Sequence, residues 1–282
     1  MTEPSPDPAA QNPLPRQTRL NEVRHAVLLL TRLPFPGLPP GSGQTATAAW
    51  AFPVVGAVIG LLGGVVFLGA NHAGLGIGSA TLLTIAAQVL MTGALHEDGL
   101  ADTADGFGGG SNRERKLAIM RDSRIGSYGV IALILTFGLR YVAINELANS
   151  LISTSDEYDQ TVSHISAVFI ALVVAGAVSR AAMAALWCVL PAARADGLAV
   201  SAGVVPFQSA VIGAILAAVI AFLLLPVTGW TVLLAVVAVL TAAMGLLAKQ
   251  QIGGHTGDVL GATQQLAEVV ALLAIAATTV AI

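Results

Sequence analysis

Apolar residues along this chain are gathered into long runs, parted by short polar stretches. A helix crosses a bilayer with about 20 predominantly apolar residues. Seven runs meet that test: Trp50–Ala70, Ile77–Leu95, Ser127–Leu147, His164–Leu190, Phe207–Leu225, Trp230–Leu247 and Gln265–Ile282. Ahead of them Glu22–Leu33 mixes apolar residues with Arg24 and Arg32 and stops at Pro34, a pattern that predicts a helix lying in the membrane interface. The predicted fold is all-α: a polytopic integral membrane helical bundle of about seven transmembrane helices with an N-terminal interfacial helix. It occupies residues 20–282 as a single membrane-embedded domain. Residues 1–19, rich in Pro, Gln, Asn and Thr, lack the apolar core of a cleaved signal peptide and are expected to form a disordered tail.

Composition agrees. Of the 282 residues 55% are hydrophobic and only 10% charged, whereas soluble domains carry about 25% charged residues. An ordinary water-facing surface is excluded. A single cysteine, Cys188, excludes an intrachain disulfide and any multi-cysteine metal site.

The distribution of charge says more than its sum of −3. Arg16, Arg19, Arg24 and Arg32 precede the first run, and Arg113, Arg115, Lys116, Arg121 and Arg124 follow the second. Arg194 follows the fourth and Lys249 the sixth. The alternate loops carry almost no basic residues, and the one after the third run is acidic (Asp156, Glu157, Asp159). The positive-inside rule then predicts a cytoplasmic N-terminus, with the basic loops on the same side and the C-terminus outside.

Two polar loops fall on that cytoplasmic side. In the first, Asp98, Asp102 and Asp105 are spaced by four and three residues. If the segment is helical, all three carboxylates share one face, where like charges repel. A cation among them removes that penalty, and clustered carboxylates suit a hard divalent ion, Mg²⁺ before softer metals. The glycine run Gly108–Gly110 follows, read as a tight turn exposing backbone amides to an anion. Arg113, Arg115 and Lys116 are read as membrane anchors. Arg121, Asp122 and Arg124, set among Ser123, Gly126 and Ser127, are read as functional, because cationic side chains beside a metal stabilise a transferring phosphoryl group.

The second loop holds Thr256 and Asp258 among Gly253, Gly254, Gly257 and Gly261, with Glu268 on the following run. A carboxylate there belongs in the bundle interior. Arg180, in the middle of the fourth run, needs a carboxylate or a phosphate as partner, and Arg140 is read as snorkelling toward the outer surface.

Together these motifs resemble the cobalamin synthase family, the adenosylcobinamide-GDP ribazoletransferases. The matching pieces are Thr31–Pro34, Phe52–Gly56, the His-x-Asp-Gly-Leu-Ala-Asp-Thr-x-Asp-Gly core within Thr92–Gly106, Ile119–Gly129, Ser179-Arg180, and Gly253–Ala262 followed by Glu268. They span the chain from about residue 20 to its end.

The resemblance implies a multi-pass enzyme of the inner membrane that joins adenosylcobinamide-GDP to α-ribazole, or to its 5′-phosphate, and releases GMP. On this reading Mg²⁺ is held by Asp98, Asp102 and Asp105, completed by Asp258 or Asp122, and Asp105 or Asp122 accepts the hydroxyl proton. Arg121, Arg124 and Arg180 meet phosphate, with Ser123, Gly126 and Thr256 also at the substrate. No nucleic acid is implied, and self-association or association with other corrinoid-pathway enzymes is left open. A divalent-cation or small-solute transporter is the competing class; it requires carboxylates near the midplane of two repeated halves, and no internal repeat is visible. A non-catalytic scaffold leaves the aspartate cluster unexplained.

Overall fold

The computed structural model describes residues 19–38, 44–149 and 157–280. The expected tail lies outside these residues except for Arg19, as do Asp156 and the last two residues of the seventh run. The chain is built from helices: α1 (Arg19–Leu30), a 3-10 segment (Thr45–Ala51), α2 (Phe52–His72), α3 (Ile77–Thr92), α4 (Leu95–Gly109), α5 (Arg113–Ile119), α6 (Ser127–Asn149), α7 (Glu157–Val189), α8 (Leu198–Ala202), α9 (Phe207–Leu224), α10 (Val227–Ile252) and α11 (Gly257–Val280).

Six described helical segments are long and apolar enough to cross a bilayer, and the α3–α4 pair makes a seventh if counted as one broken span. The chain turns by 89° inside the second predicted span. Gly93 and Ala94 both adopt left-handed backbone, at φ 65° and 56°. The amides of Gly93 and Ala94 bond back to Leu90 and Val89, closing α3. Glycine is required at 93, because an added Cβ would also press on the Arg32 side chain. The last span starts earlier than expected, at Gly257, so Asp258 sits in the first turn of α11.

Glycine also sets the tightest helix pair. Gly56 and Gly60 on α2 face Gly176 and Leu172 on α7, and a Cβ at either α2 position would overlap the α7 backbone. Small residues of this kind let backbones approach in a membrane, where packing replaces the hydrophobic effect as the driving force. α1 is drawn onto this bundle: Glu22 accepts the indole N–H of Trp50 at 2.7 Å, and Ala26 and Leu30 are fully buried.

The bundle interior holds an ionic network. Glu268 of α11 places one oxygen 3.0 Å from Arg140 Nη2 on α6 and the other 2.9 Å from Arg180 Nη1 on α7. Gln88 of α3 accepts from Arg140 at 2.8 Å, and Glu97 of α4 lies 3.5 Å from the same guanidinium. Gln264 donates to Glu268 at 2.6 Å, and Gln265 donates to Glu97 at 3.1 Å. Arg140 is 1% exposed. It does not snorkel, because its counter-ions are inside the bundle. Arg180, offered a carboxylate or a phosphate, takes the carboxylate.

Removing one member of a buried ion pair leaves an uncompensated charge, at a cost of about 3–5 kcal/mol. Glu268→Gln is therefore expected to lose stability in that range, read as a lower melting temperature of the protein in detergent.

Candidate active site

Three segments meet at one end of the bundle: α4 with the turn leading into α6, the loop between α7 and α9, and the short turn before α11. His255 donates its amide to Pro191 O, and Ala193 donates to His255 O, both at 2.8 Å. Arg113 donates to Ile252 O at 2.8 Å and to Ala193 O at 2.6 Å. Lys116 donates to the side chain of Gln251. Arg113 and Lys116, expected only to anchor the chain at a membrane surface, fasten these loops together. The His255 ring lies tilted against Trp187 with centroids 6.4 Å apart, and burial pushes its pKa down.

The aspartate segment is helical over Leu95–Gly109, as its spacing requires. Its three carboxylates nevertheless have different surroundings. Asp105 accepts the Gly126 amide at 2.6 Å and the Gly129 amide at 2.9 Å, satisfying donors at the start of α6 that have no partner within the helix. Asp105 thus caps α6, with each carboxyl oxygen taken by one backbone amide and Gly126 as one of the two donors.

Asp98 and Asp102 have no hydrogen-bond partner among the described residues. With Arg121, Asp122 and Ser123 they line a cavity of about 330 Å³. Asp102 stands in the repulsive field of Asp98, then of Asp258 and Asp105. Asp258 accepts from the Thr256 hydroxyl at 3.1 Å and from Arg194 Nη2 at 3.4 Å. Thr256 in turn takes the Val259 amide, so it caps α11.

The arginines of the first loop also differ from one another. Arg121 pairs with Asp196 at 2.6 Å. Arg124 pairs with Asp122 at 2.6 Å, and its hydrogen bonds hold the Asp122 carboxyl down at about 2. That carboxyl stays ionised at any working pH and accepts a proton poorly. The glycine run is not an anion loop, since α4 continues through Gly109. Its missing side chains make room instead for the ring of Tyr128 at Gly108 and for Lys116 at Gly110.

Two groups were not singled out by the sequence reading as part of the site. Arg194 lies between Asp258 and Asp196 (3.4 and 3.7 Å), with a buried Nη1 that has no partner. His96 is 1% exposed, and both its ring nitrogens are without a hydrogen bond. The signals were present: Arg194 is an isolated charge on the same face as the aspartates, and His96 stands two residues before Asp98.

Among the described residues no three His, Cys, Asp or Glu side chains form a ready-made metal cage. Mg²⁺ is commonly held by one or two carboxylates, with substrate phosphates completing its shell. Asp98 and Asp102 offer hard oxygen donors with no ion-pair partner and Asp258 offers more, shared with Arg194, and in that sense the set fits.

The family model for cobalamin-5-phosphate synthase matches residues 22–276. The chain belongs to this family. It is 45% identical to the adenosylcobinamide-GDP ribazoletransferase of Mesorhizobium japonicum, over 92% of this chain and 93% of the relative. Identity is 44% to that of Bradyrhizobium diazoefficiens (91% and 93% covered) and 43% to that of Sinorhizobium medicae (91% and 96%). No solved structure matches. The cobalamin-5-phosphate synthase match takes in α4, Arg194 and Asp258, so the whole constellation lies inside the family's extent.

Leaving buried amides without an acceptor costs about 1–3 kcal/mol. Asp105→Ala is expected to be destabilised by that amount, whereas Asp98→Asn and Asp102→Asn, which relieve repulsion, should melt at or above the parent temperature. Thermal unfolding of the three purified variants distinguishes the cap from the two unpaired carboxylates.

Proposed function

We propose that ribazole transfer takes place at the cavity lined by Asp98 and Asp102, with Asp98, Asp102 and Asp258 holding Mg²⁺. Family membership makes the chain an adenosylcobinamide-GDP ribazoletransferase, a membrane-embedded transferase of cobalamin biosynthesis. Its substrates are accordingly adenosylcobinamide-GDP and α-ribazole or its 5′-phosphate. The observation that carries the site is the pair of unpaired carboxylates on one face of α4, beside Arg121, in a cavity roomy enough for a pyrophosphate.

In the reaction the acceptor hydroxyl oxygen bonds to the cobinamide-side phosphorus. The bridging P–O bond to GMP breaks, and GMP leaves with the electron pair. Bound Mg²⁺ supplies charge neutralisation on the pyrophosphate oxygens. The hydroxyl proton passes to a carboxylate, and Asp102 suits this better than Asp105 or Asp122. Neither of its carboxyl oxygens is engaged by a hydrogen bond among the described residues, so one is open to the acceptor hydroxyl when the other serves Mg²⁺. Arg121 and Ser123 face the transferring group. Arg124, engaged by Asp122, and Arg180, engaged by Glu268, act at a remove from it.

This reading places the site end of the bundle in the cytoplasm of a cell with an inner membrane. The loops at that end carry nearly all the basic residues after span one.

The Asp98→Ala/Asp102→Ala double variant, folded and in detergent or lipid with Mg²⁺, is expected to lose at least 10³-fold in turnover, on the order of 4 kcal/mol. Normal turnover would refute the site. A reporter fused after Ile282 is expected to read periplasmic; a cytoplasmic signal would reverse the orientation.

A further inference from the structure

A groove of about 660 Å³ runs between α7, α9 and α10, and it shares no lining residue with the polar cavity of the transfer site. Small side chains carve it: Ala181 and Ala185 on α7, Ala217 on α9, and Ala238, Ala242 and Gly245 on α10. All three helices are long and apolar enough to cross the bilayer. Only 22% of the most apolar stretch of α10 is buried, against 72% for α7, so α10 is a peripheral helix whose outer faces meet lipid. Its share of the lining extends from Leu234 to Lys249, a length of about 22 Å at 1.5 Å per residue. That is longer than one leaflet of a hydrocarbon core about 30 Å thick.

The lining carries two side chains with polar atoms. A polar group taken out of water needs a partner, and Thr241 has one, donating to Val237 O at 2.7 Å. Lys249 differs: its exposed side chain has no hydrogen bond or ion pair among the described residues. It stands at the end of the groove nearest the site loops, where the next turn is held by Lys116 at Gln251 and by Arg113 at Ile252. The groove therefore fits an occupant that is apolar along its length and negatively charged at one end. A helix of a second copy, 10–12 Å across, would displace about 1,700 Å³ over that length, so it could lie across the mouth but not enter. A single acyl chain is slender enough to enter, and the phosphate of its headgroup brings the missing negative charge to the height of Lys249.

We propose that this groove binds one acyl chain of an anionic glycerophospholipid, with the headgroup phosphate paired to Lys249. The site requires only that α7, α9 and α10 span the membrane, and it is independent of the location of the transfer site.

Native mass spectrometry of the full chain in detergent, titrated with phosphatidylglycerol or with phosphatidylcholine of the same acyl chains, tests the assignment. One basic side chain near a membrane surface contributes about 1 kcal/mol toward anionic lipid. The wild-type protein is accordingly expected to retain one phosphatidylglycerol about fivefold more tightly than phosphatidylcholine. Lys249→Gln is expected to abolish that preference. Ala238→Phe and Ala242→Phe fill the groove from exposed positions of α10, and each is expected to weaken both lipids by about tenfold or more while the melting temperature holds.

Equal retention of the two headgroups by the wild-type protein overturns the proposal, since a lysine that merely snorkels to water makes no such distinction. Lipid retention unchanged in both phenylalanine variants overturns it as well. So does a wild-type dimer, seen by light scattering, that Ala242→Phe converts to monomer without altering lipid retention, because a second copy would then cover the groove.

Discussion

Glu268 is the point on which the bundle is organised. One buried carboxylate serves two arginines from two other helices and accepts from Gln264, while Gln88 accepts from Arg140 and Gln265 donates to Glu97. A charge in this environment is tolerated only when paired and hydrogen-bonded. The requirement fixes α11 against α6 and α7 at once, and Glu97 brings α4 into the same arrangement. Asp98 directly follows Glu97 on α4 and Asp258 precedes Glu268 on α11, so the site's carboxylates inherit their positions from this network.

A second constraint acts through shape. Gly56, Gly60 and Gly176 let α2 and α7 touch backbone to backbone, which brings the end of α7 and its trailing loop close to α4 and α11. The left-handed pair Gly93–Ala94 then turns α4 across the bundle end instead of letting the second span run on. Without that corner, Asp98 and Asp102 would continue along the span axis, away from Asp258.

Much of this was legible in the sequence. The apolar runs gave the spans, because bilayer thickness permits few other readings, and the aspartate spacing gave the carboxylate face of α4. What could not be read were the pairings that depend on long-range geometry. Arg140 looked able to snorkel because Glu268 and Gln88 lie far from it in sequence. Asp105 looked identical to its neighbours because the amides of Gly126 and Gly129 reach it only after the chain has turned back. The glycine run looked like a loop because nothing local shows that Tyr128 and Lys116 occupy the space its side chains leave. Arg194 was visible only as a topology marker, since its partner Asp258 arrives on another helix.

The position of Glu268 on α11, the last of the described helices, has a consequence for how the protein is made. Arg140 and Arg180 belong to spans synthesised much earlier, and each lacks its principal counter-ion until α11 docks. Asp258, on the same helix, reaches the site at that moment too. A chain interrupted before α11 would therefore be defective twice over: two cations stranded among apolar helices, and a carboxylate cluster missing a member. Docking of α11, maturation of the core and assembly of the site are a single event.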